Sequence, residues 1–487
     1  MNADTTVDTE QVRTGTLEHT DAAADQPDRT HAVADLRRRV AGTVHAAGDP
    51  DWDRARLAWN VLVDQHPLAV VDVRDAADVR AAVRWAVDLG FQVTAQPTGH
   101  GAVHGMGSDV VLLRTGALQD IAVDEHRRTA TVGAGVKAGD LLAALDGTGL
   151  TFLAGSNADP TVVGMTLSGG ISWFGRAFGL GSDSIVSVDL VDGLGRERTL
   201  SAESHGPDAE LFWAVRGGGG DFGVVTRMEV ALQPAPEIYG GRLLWPLDRL
   251  PELLRVFADQ TARAPETLST WLHAYQFPPL PDVPEPLRGR SFASVAVAFL
   301  GGPDEGEQHL AAYRAVPGLV MDLMGVVPLA ELGGIAAEPT DPTPGMEWSC
   351  LLDRLDDATI EALVRCLGEG SGSPLPVAQV RHLGGAFNRT PDGAGAHGPV
   401  HEPYNLFLLG IPAVPELVPV IEDCFARVGT EVQEAASGRT LLNFAGARAH
   451  ASWWSAAERE RLVRAKVDSD PLGTVRSNRP VRLAEAQ

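Results

Sequence analysis

Two histidines stand among four glycines in "QPTGHGAVHGMG", residues 96–107, a stretch with no lysine, arginine or carboxylate. A neutral imidazole is a competent nucleophile near pH 7. Glycines on either side of it let backbone approach a ligand closely or turn through positive φ. His100, flanked by Gly99 and Gly101, reads either as a chemical group or as a turn histidine paired with backbone; His104 reads as a loop histidine. A second glycine-rich run, "AGSNADPTVVGMTLSGGISWFGRAFGLGSD", covers residues 154–183. Residues 91–113 contain no Lys or Arg, and residues 151–183 contain only Arg176. An anionic cofactor lying against these segments must be held by backbone N–H groups in nests or at helix ends. Surface turns of a sheet-rich protein would carry the same glycines.

Rival phosphate motifs fail on spacing. No GxxxxGK[ST] occurs. "GAGVKAG" (133–139) follows a strand and opens a helix, but its third glycine falls one position late for a dinucleotide fingerprint, and "RGGGGDFG" (216–223) also misses the pattern.

The elements around these loops follow from periodicity. "LAVVDV" reads as a strand, and "DAADVRAAVRWAVDLG" as a helix capped by Asp75 and stopped by Gly90. "FQVTAQ" and "VVLLR" are further strands, Asp124–Arg128 a hairpin connection, and "KAGDLLAALDGTGL" a helix. "IVSVDLVDGLGRERTL" reads as a hairpin, and "DAELFWAVRGGGGDFGVVTRMEVALQP" as helix, glycine loop and strand. The proline-bearing "LQPAPEIYGG" (232–241) marks a boundary, and residues 455–468 read as a late helix.

Bulk properties narrow the partners. A chain of 487 residues calls for two large domains. A net charge of −24 argues against nucleic acid and anionic membrane surfaces. Three cysteines, Cys350, Cys366 and Cys424, form no CxxC pair, which fits a reducing, cytoplasmic setting without metal. No apolar run reaches the roughly 18 residues of a membrane span. Residues 1–36 are expected to be a disordered acidic tail.

Taken in order, "QPTGHGA", "GSNADPTVVGMTLSGGISWFGRAFGLGSDSIVSVDLVDG", "DAELFWAVRGGGGDFGVVT" and "LVRAKVDSDPLGTVRSNRP" resemble FAD-linked oxidases of the berberine-bridge-enzyme type. These belong to the vanillyl-alcohol-oxidase, or p-cresol methylhydroxylase (PCMH), superfamily. The resemblance spans about residues 55–480. It implies an α+β, two-domain PCMH-type FAD-binding fold, with a substrate domain built on a large antiparallel sheet flanked by helices. The implied division is 37–235 for the FAD-binding domain, 236–435 for the substrate-binding domain, and 436–487 for a C-terminal segment returning to the first domain.

The resemblance implies an FAD joined through its 8α-methyl to His100, with Thr98, Gly99 and Gly101 around it. Ser156, Asn157, Thr161, Gly164, Thr166 and Gly170 would wrap the pyrophosphate and ribityl chain. Val225 would lie at the adenine end and Asn478 beside the flavin. Asn157 occupies the position where some relatives place a second, cysteinyl link; with no cysteine before Cys350, only a single link is open. Asn443, in "LLNFAG", matches the asparagine of a YxN segment whose tyrosine is often given a proton-transfer role. Here that tyrosine is Leu441, so any general base lies elsewhere.

The candidates are polar residues interrupting strands of the substrate domain. His382 is the first choice, with Tyr404 and Asn443 as further catalytic candidates. Trp271, His273 and Tyr275 alternate in "STWLHAYQF" and so share one strand face. Together with Glu347, Arg381 and Asn388 they are expected to bind substrate. The expected activity is an oxidase that moves a hydride from a C–H bearing OH or NH to the flavin, with O2 as acceptor and H2O2 as product. The substrate would be a small molecule such as a secondary metabolite, sugar or alcohol, and the protein a monomer or homodimer. The rivals are a cyclase, an oxygenase or a quinone-drug-modifying enzyme of antibiotic metabolism, and a drug-binding resistance protein on the same fold.

Overall fold

Short β-branched runs around one amphipathic helix build the first layer. The computed structural model describes residues 29–279, 283, 285–447 and 453–481. Strands β1 (Thr43–His45), β2 (Ala69–Asp72), β3 (Gln92–Ala95) and β4 (Val110–Arg114) form a sheet in the order β1-β2-β4-β3. The β2–β4 and β3–β4 pairs are parallel. The connecting helix Ala76–Leu89 starts where Asp75 accepts from the Asp78 N–H and ends at Gly90 in the left-handed region. Residues 1–28 lie outside the described residues, and the expected tail does not extend to residue 36. Arg29–Arg39 is a helix that buries Ala32, Val33 and Leu36 against the first sheet, an apolar spacing that gives one helix face.

The second sheet runs β5-β6-β10-β8-β9, formed by β5 (Ile121–Asp124), β6 (Thr129–Gly133), β8 (Ile185–Val191), β9 (Glu197–Ser201) and β10 (Val224–Ala231). The β5–β6 turn passes through Arg128 at φ 53, with Asp124 accepting from the Arg127 N–H. A two-residue ribbon pairs β7 (Leu150–Thr151) with β11 (Gln233–Pro234).

The third sheet is the largest, with eight strands. It comprises β12 (Ile238–Pro246), β13 (Leu268–Gln276), β14 (Ser291–Leu300), β15 (Met321–Asp322), β16 (Gly325–Val326), β17 (Met346–Leu352), β18 (Val377–His382) and β19 (Tyr404–Gly410). The order is β15-β12-β14-β13-β18-β19-β17, all antiparallel, with β16 beside β12. Leu268, Leu272 and Ala274 of β13 point into a core shared with Leu253, Phe257, Leu310, Leu363 and Val428, so helices cover one face. The alternate residue Trp271 joins the core of the second sheet instead. The three cysteines are buried, all on the helix-covered side.

The late helix Ala456–Ser469, opened by a capping box at Ser455 and Glu458, brings the chain back to the first layer. There Val475 bridges Val93 in parallel, and Lys466 bonds the Asp221 and Val475 carbonyls. Asp221 in turn accepts from the N–H groups of Ser477 and Val481.

Candidate cofactor and substrate site

The loop after β3 is tied on both sides. Gly99 sits at φ +91, and a Cβ there would lie 2.9 Å from Ala58 Cα and from the Trp59 nitrogen. The Trp59 N–H donates to the Thr98 carbonyl (2.9 Å), and Arg479 donates to the Gly101 carbonyl (3.0 Å). Between them His100 stacks on the Trp59 indole with ring centroids 4.0 Å apart. Its Nε2 lies 2.7 Å from Asp159 Oδ2, and Lys137 Nζ bonds the other Asp159 oxygen. Burial opposes ionisation of Asp159, but the bonds from His100 and Lys137 prevail and hold its carboxyl below the usual range. His104 is exposed.

The second glycine run supplies Asp159. Asn157 Oδ1 accepts from the Asp159 N–H at 2.8 Å and fixes its backbone, while Asn157 Nδ2 donates to the Pro339 carbonyl. Thr161 caps the short helix Val162–Leu167 by accepting from the Gly164 N–H. Thr166 is buried inside that helix and Ser156 just before it. Gly169 and Gly170 both take positive φ, and a Cβ on Gly170 would meet the Gly181 backbone at 2.9 Å. Asn443 spans this turn, accepting from the Gly170 N–H (2.9 Å) and donating to the Met165 carbonyl (3.0 Å). Its amide is thus committed to holding loop backbone. Asn478 accepts from the Val103 N–H at 3.4 Å, and Val225 is buried in β10.

Against these loops lies the face of the third sheet opposite its helices. Cross-strand neighbours share a face, so the register brings Ala296, Trp271, Arg381 and Asn405 into one row, and Ser294, His273, Gln379 and Phe407 into the next. Trp271 stacks on Trp173 at 3.5 Å, which joins this face to the end of the second glycine run. The Arg381 guanidinium sits 4.0 Å over Trp271 and 4.5 Å from the Phe444 ring. Among the described residues its hydrogen bond goes to Gln379 (2.8 Å) and its ion pair to Glu338 (3.7 Å). Burial lowers Arg381 to about 10, and it remains charged at neutral pH.

The same face holds buried polar atoms without partners. Asn405 is fully buried with neither amide atom bonded, and His273 is fully buried with neither ring nitrogen in a hydrogen bond of good geometry. Burial, helped by Arg381 and Arg242, drops His273 to about 3, so it is neutral. Tyr275 stacks on His273 at 5.0 Å. Glu347 is half-buried; burial raises its carboxyl pKa against the pull of Arg479 and Arg381. Unbonded buried donors and acceptors cost free energy. Their concentration here fits a face built to meet a polar molecule. Ser182, Ser477 and His397 add orphaned atoms near the glycine loops, which fits a large polar group lying between loops and sheet.

Three expected site residues stand elsewhere. His382 follows Arg381 on β18 and therefore points to the opposite face. There its Nε2 meets Arg176 Nη1 at 2.8 Å, and burial followed by the Arg176 charge lowers it to about 2. Tyr404, paired with His382, bonds Thr261 at 2.8 Å within the helix-side core. Asn388 is exposed at the end of a 3₁₀ turn. Leu441 is fully buried.

Trp59, Lys137, Asp159, Glu338, Asn405 and Arg479 were not among the expected residues. A strap formed by residues 336–345 explains several of them. Its carbonyls accept from Arg242, Asn157 and Trp59, and Asn60 exchanges hydrogen bonds with Gly345. The only advance signal for Asp159 was a carboxylate in a glycine run whose other charged residues are Arg176 and Asp183.

Residues 67–201 match the FAD binding domain family. (R)-6-hydroxynicotine oxidase of Paenarthrobacter nicotinovorans is 29% identical over 313 residues, 63% of this chain and 65% of that protein. The chain thus spans just under two thirds of that relative's length. The solved structure of Physcomitrella patens BBE-like 1 superposes with a TM-score of 0.81 at 18% identity, covering 94% of this chain and all of that one. That of 6-hydroxy-D-nicotine oxidase from Arthrobacter nicotinovorans gives 0.74 at 24% identity, covering 89% and 96%. The match and the glycine loops together mark residues 67–201 as an FAD-binding domain. Over nearly the whole chain the fold is that of berberine-bridge-enzyme-like and PCMH-type proteins.

Proposed function

We propose that the protein is an oxidase that takes a hydride from a C–H bearing OH or NH of a small polar molecule, with FAD attached to His100 and O2 as final acceptor. One observation carries this reading: the polar face of the third sheet, with Asn405 and His273 unbonded, lies against the glycine loops that present His100. Bound FAD would supply the hydride acceptor and the electrons for O2 reduction.

The chain's own residues supply binding and proton management. Thr161, Gly164, Gly169 and Gly170 offer backbone donors and close approach in the second loop. Arg381, fixed by Gln379 and Trp271, offers free donors to a substrate oxygen. Asn405 can both donate to and accept from the same molecule. Glu347 is the group suited to take the heteroatom proton, because burial raises its pKa toward the working range. Strap residues 336–345 and Trp59 shield the site from water.

Anaerobic mixing with candidate amines, sugars and alcohols tests the reading. It predicts bleaching of the flavin absorbance by at least one class, and hydrogen peroxide when O2 is admitted. Bleaching without peroxide would favour a dehydrogenase. Absence of bleaching across all classes would remove the oxidase reading.

A further inference from the structure

We propose that Asp159, held by Lys137, prepares His100 for covalent attachment to the flavin by keeping the imidazole proton on Nε2 and so leaving the Nδ1 lone pair free to attack. The inference rests on the covalent reading of His100 above. It assigns a positioning residue for that attachment.

The geometry is specific. Asp159 Oδ2 stands 2.7 Å from His100 Nε2, with the carboxylate side chain 10% exposed and the imidazole 19%. A carboxylate on one ring nitrogen holds the proton there, which fixes the tautomer and raises the basicity of the other nitrogen. Three further contacts make the pair rigid. Asn157 fixes the Asp159 backbone, Lys137 occupies the second carboxylate oxygen, and Trp59 covers one imidazole face. Gly99 and Gly101 leave no side chain beside His100 along the chain. Val103 and Asn478 complete the loop from the far side.

The step balances as follows. One 8α C–H bond breaks first, its proton passing to solvent and its electron pair into the flavin ring, and an N–C bond then forms between His100 Nδ1 and the 8α carbon. The imidazole becomes cationic as the bond forms, and the Asp159 carboxylate neutralises that charge before the Nε2 proton leaves through it. The methyl and the imidazole each lose a proton, and the electron pair of the broken C–H bond leaves the flavin two electrons reduced. Dioxygen then reoxidises it and forms hydrogen peroxide.

The test uses the full chain as wild type, Asp159→Asn, Asp159→Ala and Lys137→Met, each incubated with FAD in air. Attachment is read as flavin fluorescence remaining on the polypeptide in a denaturing gel, and as added mass on the intact protein. Total bound FAD and melting temperature are measured in parallel. Wild type is expected to keep its flavin through denaturation. Both Asp159 variants should bind FAD but attach it at least tenfold more slowly, and Lys137→Met should be slowed to a lesser degree. Attachment at the wild-type rate in Asp159→Asn, with FAD bound and melting temperature unchanged, overturns the proposal and leaves an ordinary ion pair. This near-isosteric variant decides the matter if Asp159→Ala does not fold. Flavin released by denaturing wild type would instead overturn the covalent reading itself, before any variant is compared.

Discussion

Arg381 and His382 are neighbours in sequence and point to opposite faces of one sheet. Arg381 lies over Trp271 on the face toward the glycine loops, while His382 meets Arg176 on the helix side. Strand alternation makes this unavoidable, and it separates the proposed substrate face from the helix-side core by one peptide.

Replacing Arg381 with Met should therefore damage substrate recognition and spare cofactor binding. The guanidinium is buried with spare donors, so its loss should lower kcat/KM by about 2 to 5 kcal/mol, as for one partner of a buried polar contact. Steady-state kinetics beside the flavin absorbance of the purified variant would check this. Unchanged kcat/KM would place the substrate elsewhere.

Glu347→Gln should flatten the acid side of the activity profile. A base works only when deprotonated, so the rate should rise with pH through the Glu347 pKa, which burial holds above the ordinary carboxylate range. Loss of the base should cost about 10²- to 10⁴-fold in kcat. An ascending limb that persists in the variant would assign the proton to another group.

Two buried neutral histidines should make the fold acid-sensitive. His382 is lowered to about 2 and His273 to about 3, in both cases chiefly by burial, against about 6.5 in an unfolded chain. Between those values the unfolded chain binds more protons. The stability linked to each histidine is thus fully present above about pH 6.5 and is lost as pH falls. By pH 5 the loss is about 2 kcal/mol per histidine. Denaturant melts at pH 7 and pH 5 should show this, and His382→Gln, which keeps an acceptor for Arg176, should remove about 2 kcal/mol of the difference. An equal pH dependence in the variant would contradict the assignment.

Local structure was legible wherever one element decides it. Asp75 and Gly90 bound their helix because capping is a short-range effect, and Trp271, His273 and Tyr275 share a face because strands have period two. The same rule forbids Arg381 and His382 from serving one site, but choosing between them needs to know which face the helices cover. Contacts between distant segments were not legible. His100 and Asp159 are separated by 59 residues, and Glu338 reaches Arg381 only through the strap. The helix Arg29–Arg39 was hidden by its charge, since only Ala32, Val33 and Leu36 face inward.

Acid precipitation of the wild-type protein, followed by mass analysis of its proteolytic peptides, tests the central claim most directly. The account predicts that the yellow colour stays with the polypeptide, that the peptide containing His100 carries the added mass of the flavin, and that His100→Ala releases its flavin on denaturation. Flavin that washes away from the wild type, or that stays attached in His100→Ala, would contradict it.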